Sequence, residues 1–265
     1  MIELNAATAV SHVEFSIEGH LARVHLNRPD ALNAITPEMD EALASAWEQI
    51  NASDIVRVTL LTGEGARAFC AGADVSSGLP AGQIHAFGGG LTGIGGPLVS
   101  LRKPLVAAVR GHAVGGGFEL AMCADVLLID DTASFRLPEV GRGFIAHSGV
   151  LHRAVRKLPL NIAMDLILTG RPLCAREAHG LGLASRLLEP EDLMPAALEV
   201  CEAIANSPPL AVLAAREAVR ESLDLPLKLA LGRTYPAIEQ FQGSQDAREA
   251  VAALQERRRP RWSGR

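Results

Sequence analysis

Aromatic residues and excess positive charge are both scarce in this sequence. Phe, Trp and Tyr make up only 4% of the 265 residues, and the formal net charge at pH 7 is −5. Nucleic-acid binding usually needs a basic surface, and single strands are commonly held by stacking on aromatic rings. We therefore expect no nucleic-acid partner.

Cysteine is equally sparse. The four cysteines, Cys70, Cys123, Cys174 and Cys201, lie far apart in the sequence, and none belongs to a C-x-x-C pair. Disulfide frameworks and zinc sites are recognised by closely spaced or repeated cysteines. The sequence predicts neither, and we expect all four side chains to be buried as small hydrophobic groups.

Long hydrophobic runs are missing as well. A run such as residues 126–129 (VLLI) is far shorter than the roughly 20 residues that cross a bilayer. Residues 1–6 (MIELNA) show no basic segment before an apolar stretch, which a secretory signal would have. The 48% apolar and 21% charged fractions are those of an ordinary globular protein. We expect a soluble, cytoplasmic protein without a membrane partner.

The first half of the chain alternates strand-like and helix-like patterns. Residues 12–17 and 22–26 flank a turn and predict a hairpin. Thr36 followed by Pro37 predicts a helix that runs to about Asn51. The apolar runs 56–62 and 104–109 predict core strands, each followed by a glycine-containing turn and a helical pattern. This order indicates a spiral of repeated strand, strand and helix units.

From residue 161 onward the pattern is mostly helical. The predicted helices cover residues 175–179, 190–206, 209–223 and 246–258. We divide the chain into a core at 1–195, which carries the active site, and a helical region at 196–265. The glycine-rich stretch 88–96 is predicted to form a mobile surface loop.

Three consecutive glycines at 115–117 precede the helical pattern 118–124. Such a turn lets a ligand approach free N–H groups at a helix N-terminus, which suits an oxyanion. Close packing of the helix against a strand, with no ligand, explains the glycines equally well. The turn alone does not decide between the two interpretations.

Two glutamates stand near glycine-rich turns. Glu119 is surrounded by apolar neighbours, which predicts a buried carboxyl group with a raised pKa. Glu139 follows Pro138 and by itself fits a surface loop. Free N–H donors beside two carboxyl groups are what polarising a carbonyl and moving protons requires, so an enzyme is favoured. Spacing alone does not assign both acids to one site.

Four motifs and the tail, in this order, resemble the enoyl-CoA hydratase/isomerase (crotonase) family. They are residues 26–34 (LNRPDALNA), 68–74 (AFCAGAD), 111–119 (GHAVGGGFE), 137–143 (LPEVGRG) and 257–262 (RRRPRW). The resemblance covers nearly the whole chain. It implies an α/β fold, a crotonase spiral of ββα repeats, with a C-terminal helical region that mediates assembly into a homotrimer or homohexamer.

The resemblance also implies a site for an acyl thioester of coenzyme A. The backbone N–H groups of Ala73 and Gly116 would form the oxyanion hole. Glu119 would deprotonate the water that adds at Cβ, and Glu139 would exchange the proton at Cα. No metal or other cofactor is expected, because coenzyme A is part of the substrate. Further substrate contacts are expected from Ala71, Gly72, Asp74, Val75, Gly115 and His147.

The presence of both acids favours an enoyl-CoA hydratase-like lyase. Alternatives are another reaction of the family (double-bond isomerisation, carnitinyl-CoA-type dehydration or thioester hydrolysis) or a CoA-thioester binding protein with little turnover. Residues 145–149 (IAHSG) depart from the usual Pro-Gly step, and His147 replaces a glycine near the catalytic water. His147 is either an extra acid/base or a contact to a polar acyl substituent, or a hydrogen-bonded histidine that lines a loop. Arg136 either pairs with a carboxylate or a polar acyl group, or lies on the surface.

Several other residues are weaker candidates. Phe87, Leu91 and Phe144 are large apolar residues in predicted loops and suggest an acyl channel. The resemblance suggests that Arg257 approaches the CoA phosphates, although a cation at a helix C-terminus is also favoured by the helix dipole. Leu254 stands where the family often has an aromatic residue.

Overall fold

The computed structural model describes residues 12–77, 86–93 and 98–265. The strands in these ranges are β1 (Val13–Glu18), β2 (Leu21–Leu26), β3 (Val58–Gly63), β4 (Ala68–Cys70), β5 (Leu105–Val109), β6 (His112–Val114), β7 (Val126–Asp130), β8 (Ser134–Arg136), β9 (Leu173–Cys174) and β10 (Arg186–Leu188). The helices are α1 (Pro37–Ala52), α2 (Gly116–Ala121), α3 (Val150–Lys157), α4 (Leu160–Thr169), α5 (Ala175–Gly180), α6 (Leu193–Ala205), α7 (Pro209–Ser222), α8 (Leu227–Gly232), α9 (Pro236–Gln242) and α10 (Gln245–Glu256). Short 3-10 turns lie at Pro29–Ala31, Val75–Ser77 and Val140–Arg142.

The strands form two sheets. The larger has the order β1-β2-β3-β5-β7-β10, and the smaller has the order β4-β6-β8-β9. From β3 to β8, each successive pair of strands contributes one strand to each sheet, and these strands run parallel to their neighbours within each sheet. The chain therefore winds as a spiral of ββα units followed by a helical C-terminal region, which confirms the predicted fold class.

Helix α1 covers one side of the core. The side chain of Thr36 accepts a hydrogen bond from the N–H of Met39 at 3.3 Å, and Pro37 is the first helical residue, as predicted. Met39, Leu43 and Trp47 recur at the spacing of one helical face and are buried. This face packs into the main hydrophobic core.

A second apolar cluster lies on another face of the larger sheet. Leu60 and Val106 there pack with Leu193, Ala197 and Cys201 of α6. Helix α6 thus spans the predicted division at residue 195, and that division stays a prediction.

The glycine-rich stretch differs from its prediction. Residues 86–92 are buried, and the carboxylate of Asp40 accepts hydrogen bonds from the N–H groups of Gly88 and Gly89 at 2.7 and 3.0 Å. The predicted mobile surface loop is therefore wrong for 88–92; residues 94–96 lie outside the described ranges. Glycine here permits close packing: a Cβ on Gly89 would lie 2.2 Å from the backbone nitrogen of Ala44.

Two structural observations bear on the predicted absence of disulfides and of membrane-spanning segments. All four cysteines are free thiols. Cys174 is exposed, so its predicted burial is wrong; it is the second residue of β9, a two-residue strand at the edge of the smaller sheet. Within the described part of the chain, no helix has the length and apolar character needed to span a membrane.

Candidate active site

The first turn of the site follows strand β4. Gly72, with φ of +92°, accepts a hydrogen bond from the N–H of Ile35 at 2.8 Å, and the N–H of Asp74 donates to Ile35 at 2.9 Å. These bonds fasten the turn on both sides of Ala73. The N–H of Ala73 itself donates to no group among the described residues, and the residue is exposed.

The second turn connects β6 to α2. Gly115 has φ of +54°, which favours glycine, and its N–H donates to the carbonyl of Arg136 at 2.8 Å. The next N–H, of Gly116, has no hydrogen-bond acceptor within the described ranges. A Cβ on Gly72 would lie 3.1 Å from the nitrogen of Gly116, so the two turns are in contact. The structure thereby brings two unbonded N–H groups to neighbouring turns.

Glu119 lies in the first turn of α2 and is only 2% exposed. Its Oε1 atom accepts a hydrogen bond from the N–H of Val150 at 3.1 Å, and the N–H of Ser148 also interacts with the carboxyl group. Burial outweighs these donors and raises the pKa of Glu119 to about 7. The predicted buried carboxyl group is confirmed.

Glu139 comes from the segment after β8 but faces the same turn. Its Oε1 atom would lie 2.5 Å from a Cβ on Gly115, and its Oε2 atom is buried with no hydrogen-bond partner in the described part of the chain. Burial raises the pKa of Glu139 as well. The charge of Glu139 also raises the pKa of Glu119, since two nearby carboxylates repel each other. The two acids therefore share one site.

The two N–H groups and the two carboxyl groups can perform complementary chemical steps. Two N–H groups can stabilise negative charge on a carbonyl oxygen. Two neighbouring carboxyl groups with raised pKa values can share a proton, so that one acts as an acid while the other acts as a base.

The expected contact residue Asp74 is engaged by the protein itself. Its carboxylate pairs with Arg28 at 2.7 Å and accepts hydrogen bonds from the hydroxyl and N–H groups of Ser76. The hydrogen bond from the Ser76 side chain, followed by that from Arg28, lowers the pKa of Asp74 to about 2. Ala71 is half-buried and Val75 is exposed, and both flank the first turn.

His147 and Arg136 have different surroundings. His147 is exposed, and its Nδ1 atom lies 3.2 Å from the carbonyl oxygen of Ile145. Its ring interacts electrostatically with both Glu119 and Glu139. The Nε atom of Arg136 donates to the carbonyl of Gly170 at 2.7 Å, and its side chain is exposed, which agrees with the surface interpretation.

Sequence reasoning overlooked one supporting residue. Asn33 is fully buried in the left-handed conformation, with φ of +54°. Its side chain accepts a hydrogen bond from the N–H of Arg28 and donates to the carbonyls of Glu64 and Ala68. It fixes the segment that holds the first turn. Asparagine adopts the left-handed backbone region more often than most residues, and this preference could have identified Asn33 in the sequence.

The three residues that suggest an acyl channel differ in their exposure. Phe87 and Leu91 are buried, whereas Phe144 is half exposed. Phe87 lies directly against Gly116, a contact that no local pattern indicates. Leu254 is exposed, and Arg257 ends α10 in the left-handed conformation.

Comparison with known proteins gives consistent similarities. A family model described as enoyl-CoA hydratase/isomerase matches residues 16–265. A carnitinyl-CoA dehydratase of Proteus mirabilis is 36% identical over 96% of this chain and 98% of its own length. An (E)-benzylidenesuccinyl-CoA hydratase of Thauera aromatica is 32% identical over 95% of this chain and 99% of its own.

Solved structures agree in fold. A Novosphingobium aromaticivorans protein, provisionally assigned as a short-chain enoyl-CoA hydratase, has a TM-score of 0.91 and 47% identity, covering 96% of this chain and 100% of its own. An enoyl-CoA hydratase of Mycobacterium tuberculosis has a TM-score of 0.88 and 35% identity, covering 96% of this chain and 99% of its own.

Proposed function

Because the chain belongs to the enoyl-CoA hydratase/isomerase family and is an enoyl-CoA hydratase-like enzyme, we propose that it adds water reversibly to the double bond of a 2-enoyl-CoA thioester. The observation that supports this most is the convergence of Glu119 and Glu139 beside the unbonded N–H groups of Ala73 and Gly116. Members of this family act on acyl-CoA thioesters.

The proposed reaction begins at the thioester carbonyl. Its oxygen accepts hydrogen bonds from Ala73 and Gly116, which withdraws electrons from the conjugated double bond. Glu119, as a carboxylate, removes a proton from water while the water oxygen bonds to Cβ. The electrons of the double bond move toward the carbonyl oxygen, which becomes an enolate. Such oxyanion donors typically contribute about 3 kcal/mol each to lowering the barrier.

The enolate then takes a proton at Cα from Glu139. This step needs Glu139 in its protonated form, and the burial that raises its pKa favours that form. Glu119 needs to be ionised at the same time, and its pKa of about 7 makes it a base matched to neutral pH. The reaction uses the form of the pair in which Glu139 holds the single proton, and the proton that Glu119 takes from water passes back to Glu139 before the next turnover. The reverse sequence dehydrates the 3-hydroxyacyl thioester.

A second candidate is dehydration of a polar 3-hydroxyacyl-CoA. The relatives named carnitinyl-CoA dehydratase and (E)-benzylidenesuccinyl-CoA hydratase support it, since these names specify acyl groups with polar substituents. The exposed imidazole of His147, which interacts electrostatically with both acids, adds a polar group at the same site. The machinery is unchanged; only the preferred acyl group and the favoured direction differ.

The test is turnover of crotonyl-CoA by the purified protein. Loss of the absorbance of the conjugated thioester, with the water adduct identified by mass, supports the proposal. Glu119→Gln and Glu139→Gln should each abolish turnover while binding of the thioester persists. Glu48→Gln, an exposed glutamate of α1, is the matched control and should remain active. Near-normal turnover by either site variant would overturn the assigned roles.

A further inference from the structure

The ring of Phe87 packs directly on Gly116. A Cβ built on Gly116 would lie 2.6 Å from Cε1 and 2.7 Å from Cζ of that ring. These distances are too short for real atoms, so the ring occupies the space that a side chain at 116 would fill. Phe87 is only 5% exposed, which confines the ring between Gly116 and the protein interior.

The backbone that follows Phe87 is fixed to helix α1. The N–H groups of Gly88 and Gly89 both donate to Oδ1 of the buried Asp40, at 2.7 and 3.0 Å. The indole N–H of Trp47 donates to the carbonyl of Gly88 at 2.7 Å. A charged acceptor makes such hydrogen bonds strong, and both partners are buried. The residue that follows Phe87 therefore has little freedom to move.

The carbonyl of Phe87 is also held. It accepts hydrogen bonds from the hydroxyl of Thr92 at 2.7 Å and from the N–H of Thr92 at 3.3 Å. Thr92 is buried, so both bonds are shielded from water. Phe87 is thus anchored through its own carbonyl and through the peptide that follows, and its ring presents a fixed wall.

This wall stands beside the proposed oxyanion hole. The backbone nitrogen of Gly116 is bonded directly to the Cα that lies against the ring. A carbonyl oxygen bonded to that N–H lies about 3 Å from the nitrogen. The groups attached to the carbonyl carbon therefore come close to the ring. One of these groups is the sulfur of coenzyme A, which is the same in every substrate; the other is the α-carbon of the acyl group, which varies.

We propose that Phe87 is a specificity-determining residue that limits substitution at the α-carbon of the acyl thioester. This inference rests on the proposed function and names its substrate class: 2-enoyl-CoA thioesters without a branch at the α-carbon. Asp40 and Thr92 act through Phe87 as positioning residues. A rigid aromatic wall excludes a methyl group because a packed surface does not yield by the needed volume.

The experiment compares two substrates that differ by one α-methyl group, crotonyl-CoA and 2-methylcrotonyl-CoA. The wild-type protein should have a kcat/KM at least tenfold lower for the branched substrate. In Phe87→Ala the ratio of branched to unbranched kcat/KM should rise by about tenfold. Phe87→Leu, which retains more packing volume, should shift the ratio in the same direction and provides the test if the alanine variant does not fold.

Two controls separate a site effect from a general loss of packing. Phe15→Ala removes a partly buried phenylalanine of β1 that packs against the core, and it should leave the substrate ratio unchanged. Thr92→Val, which removes the hydroxyl that holds the Phe87 carbonyl, should raise the ratio less than Phe87→Ala does. This change in substrate ratio is not expected from a merely structural role of Thr92.

Failure of the proposed function and failure of the proposed role of Phe87 give different results. If the wild-type protein does not hydrate crotonyl-CoA, the proposed function falls and this inference falls with it. If crotonyl-CoA is hydrated but a folded Phe87→Ala or Phe87→Leu variant keeps the wild-type substrate ratio, the proposed function stands and the role of Phe87 is overturned.

Discussion

The carboxyl oxygen Oε1 of Glu139 lies over the Cα of Gly115, so closely that a Cβ on that glycine would be 2.5 Å from it. Gly115 also accepts the first hydrogen bond of α2 from the N–H of Glu119, at 3.0 Å. One glycine therefore borders both acids. Its φ of +54° and its lack of a side chain are both required there.

Gly115→Ala should displace Glu139 and strain the turn that ends at Gly116. We expect kcat/KM for crotonyl-CoA to fall at least a hundredfold, with a loss of about 1–3 kcal/mol in the free energy of unfolding. Steady-state kinetics and denaturant titration measure the two effects. Gly141→Ala is the control, because nothing lies within 4 Å of a Cβ there and its φ is not positive. Wild-type activity in Gly115→Ala would contradict the placement of Glu139.

The raised pKa of Glu119 predicts a pH-dependent cost in stability. Its pKa is about 7 in the folded protein against 4.5 in the unfolded chain. The folded state therefore binds more protons between these values, and stability is lost as pH rises from 4.5 through 7. Glu119→Gln removes this titration. Its unfolding free energy relative to wild type should increase by about 3 kcal/mol across that window. Parallel curves for the two proteins would contradict the raised pKa of Glu119.

The ion pair between Arg28 and Asp74 should affect catalysis through the first turn. Arg28 also donates to the carbonyl of Ala34 at 3.0 Å, so it joins two segments that support Ala73. Arg28→Gln should lower kcat/KM about tenfold or more, because it releases the turn that carries Ala73, and misplacement by about 1 Å can cost about a hundredfold in rate. Arg186→Gln, which breaks a more exposed pair with Glu199, should change activity little. Equal effects in both variants would indicate that the turn does not depend on Arg28.

The family resemblance assigns assembly into a homotrimer or homohexamer to the C-terminal helical region at 196–265, and α4, which precedes that region, offers a second exposed apolar surface. Leu160, Met164 and Leu168 follow one face of α4 and are exposed by 60%, 42% and 57%. Such a stripe commonly marks a protein contact. Met164→Lys should reduce the assembled mass in sedimentation, whereas Ile55→Lys, at an exposed isoleucine in the segment between α1 and β3, should not. A monomeric wild-type protein would contradict this prediction.

Local signals predicted part of the fold. The hairpin of β1 and β2 and the start of α1 depend on neighbouring residues, namely a turn at Gly19 and the cap formed by Thr36 and Pro37. Strands β4, β6 and β8 have only three residues each, which is too short for a periodic pattern. They are defined by pairing across the sheet, so no local pattern in the sequence indicates them.

The active site likewise depends on contacts between residues that are distant in the sequence. Val114 of β6 pairs with Arg136 of β8, and this register brings the turn at Gly115 beside the segment that carries Glu139. Spacing in the sequence contains no information about that pairing, so only the family resemblance joined the two acids. The prediction of a mobile loop is wrong for residues 88–92, because glycine favours both mobile loops and close packing, and here hydrogen bonds to Asp40 and Trp47 hold the segment in the interior.

The most direct test of the central claim is to follow the oxygen of water into the product. Crotonyl-CoA is incubated with the protein in water enriched in oxygen-18, and in a parallel reaction in deuterium oxide. We predict oxygen-18 in a hydroxyl group at Cβ, one deuterium at Cα and an intact thioester. Oxygen-18 in a released carboxylate would indicate thioester hydrolysis. A shifted double bond without oxygen-18 would indicate isomerisation. Either result would contradict the proposed hydration.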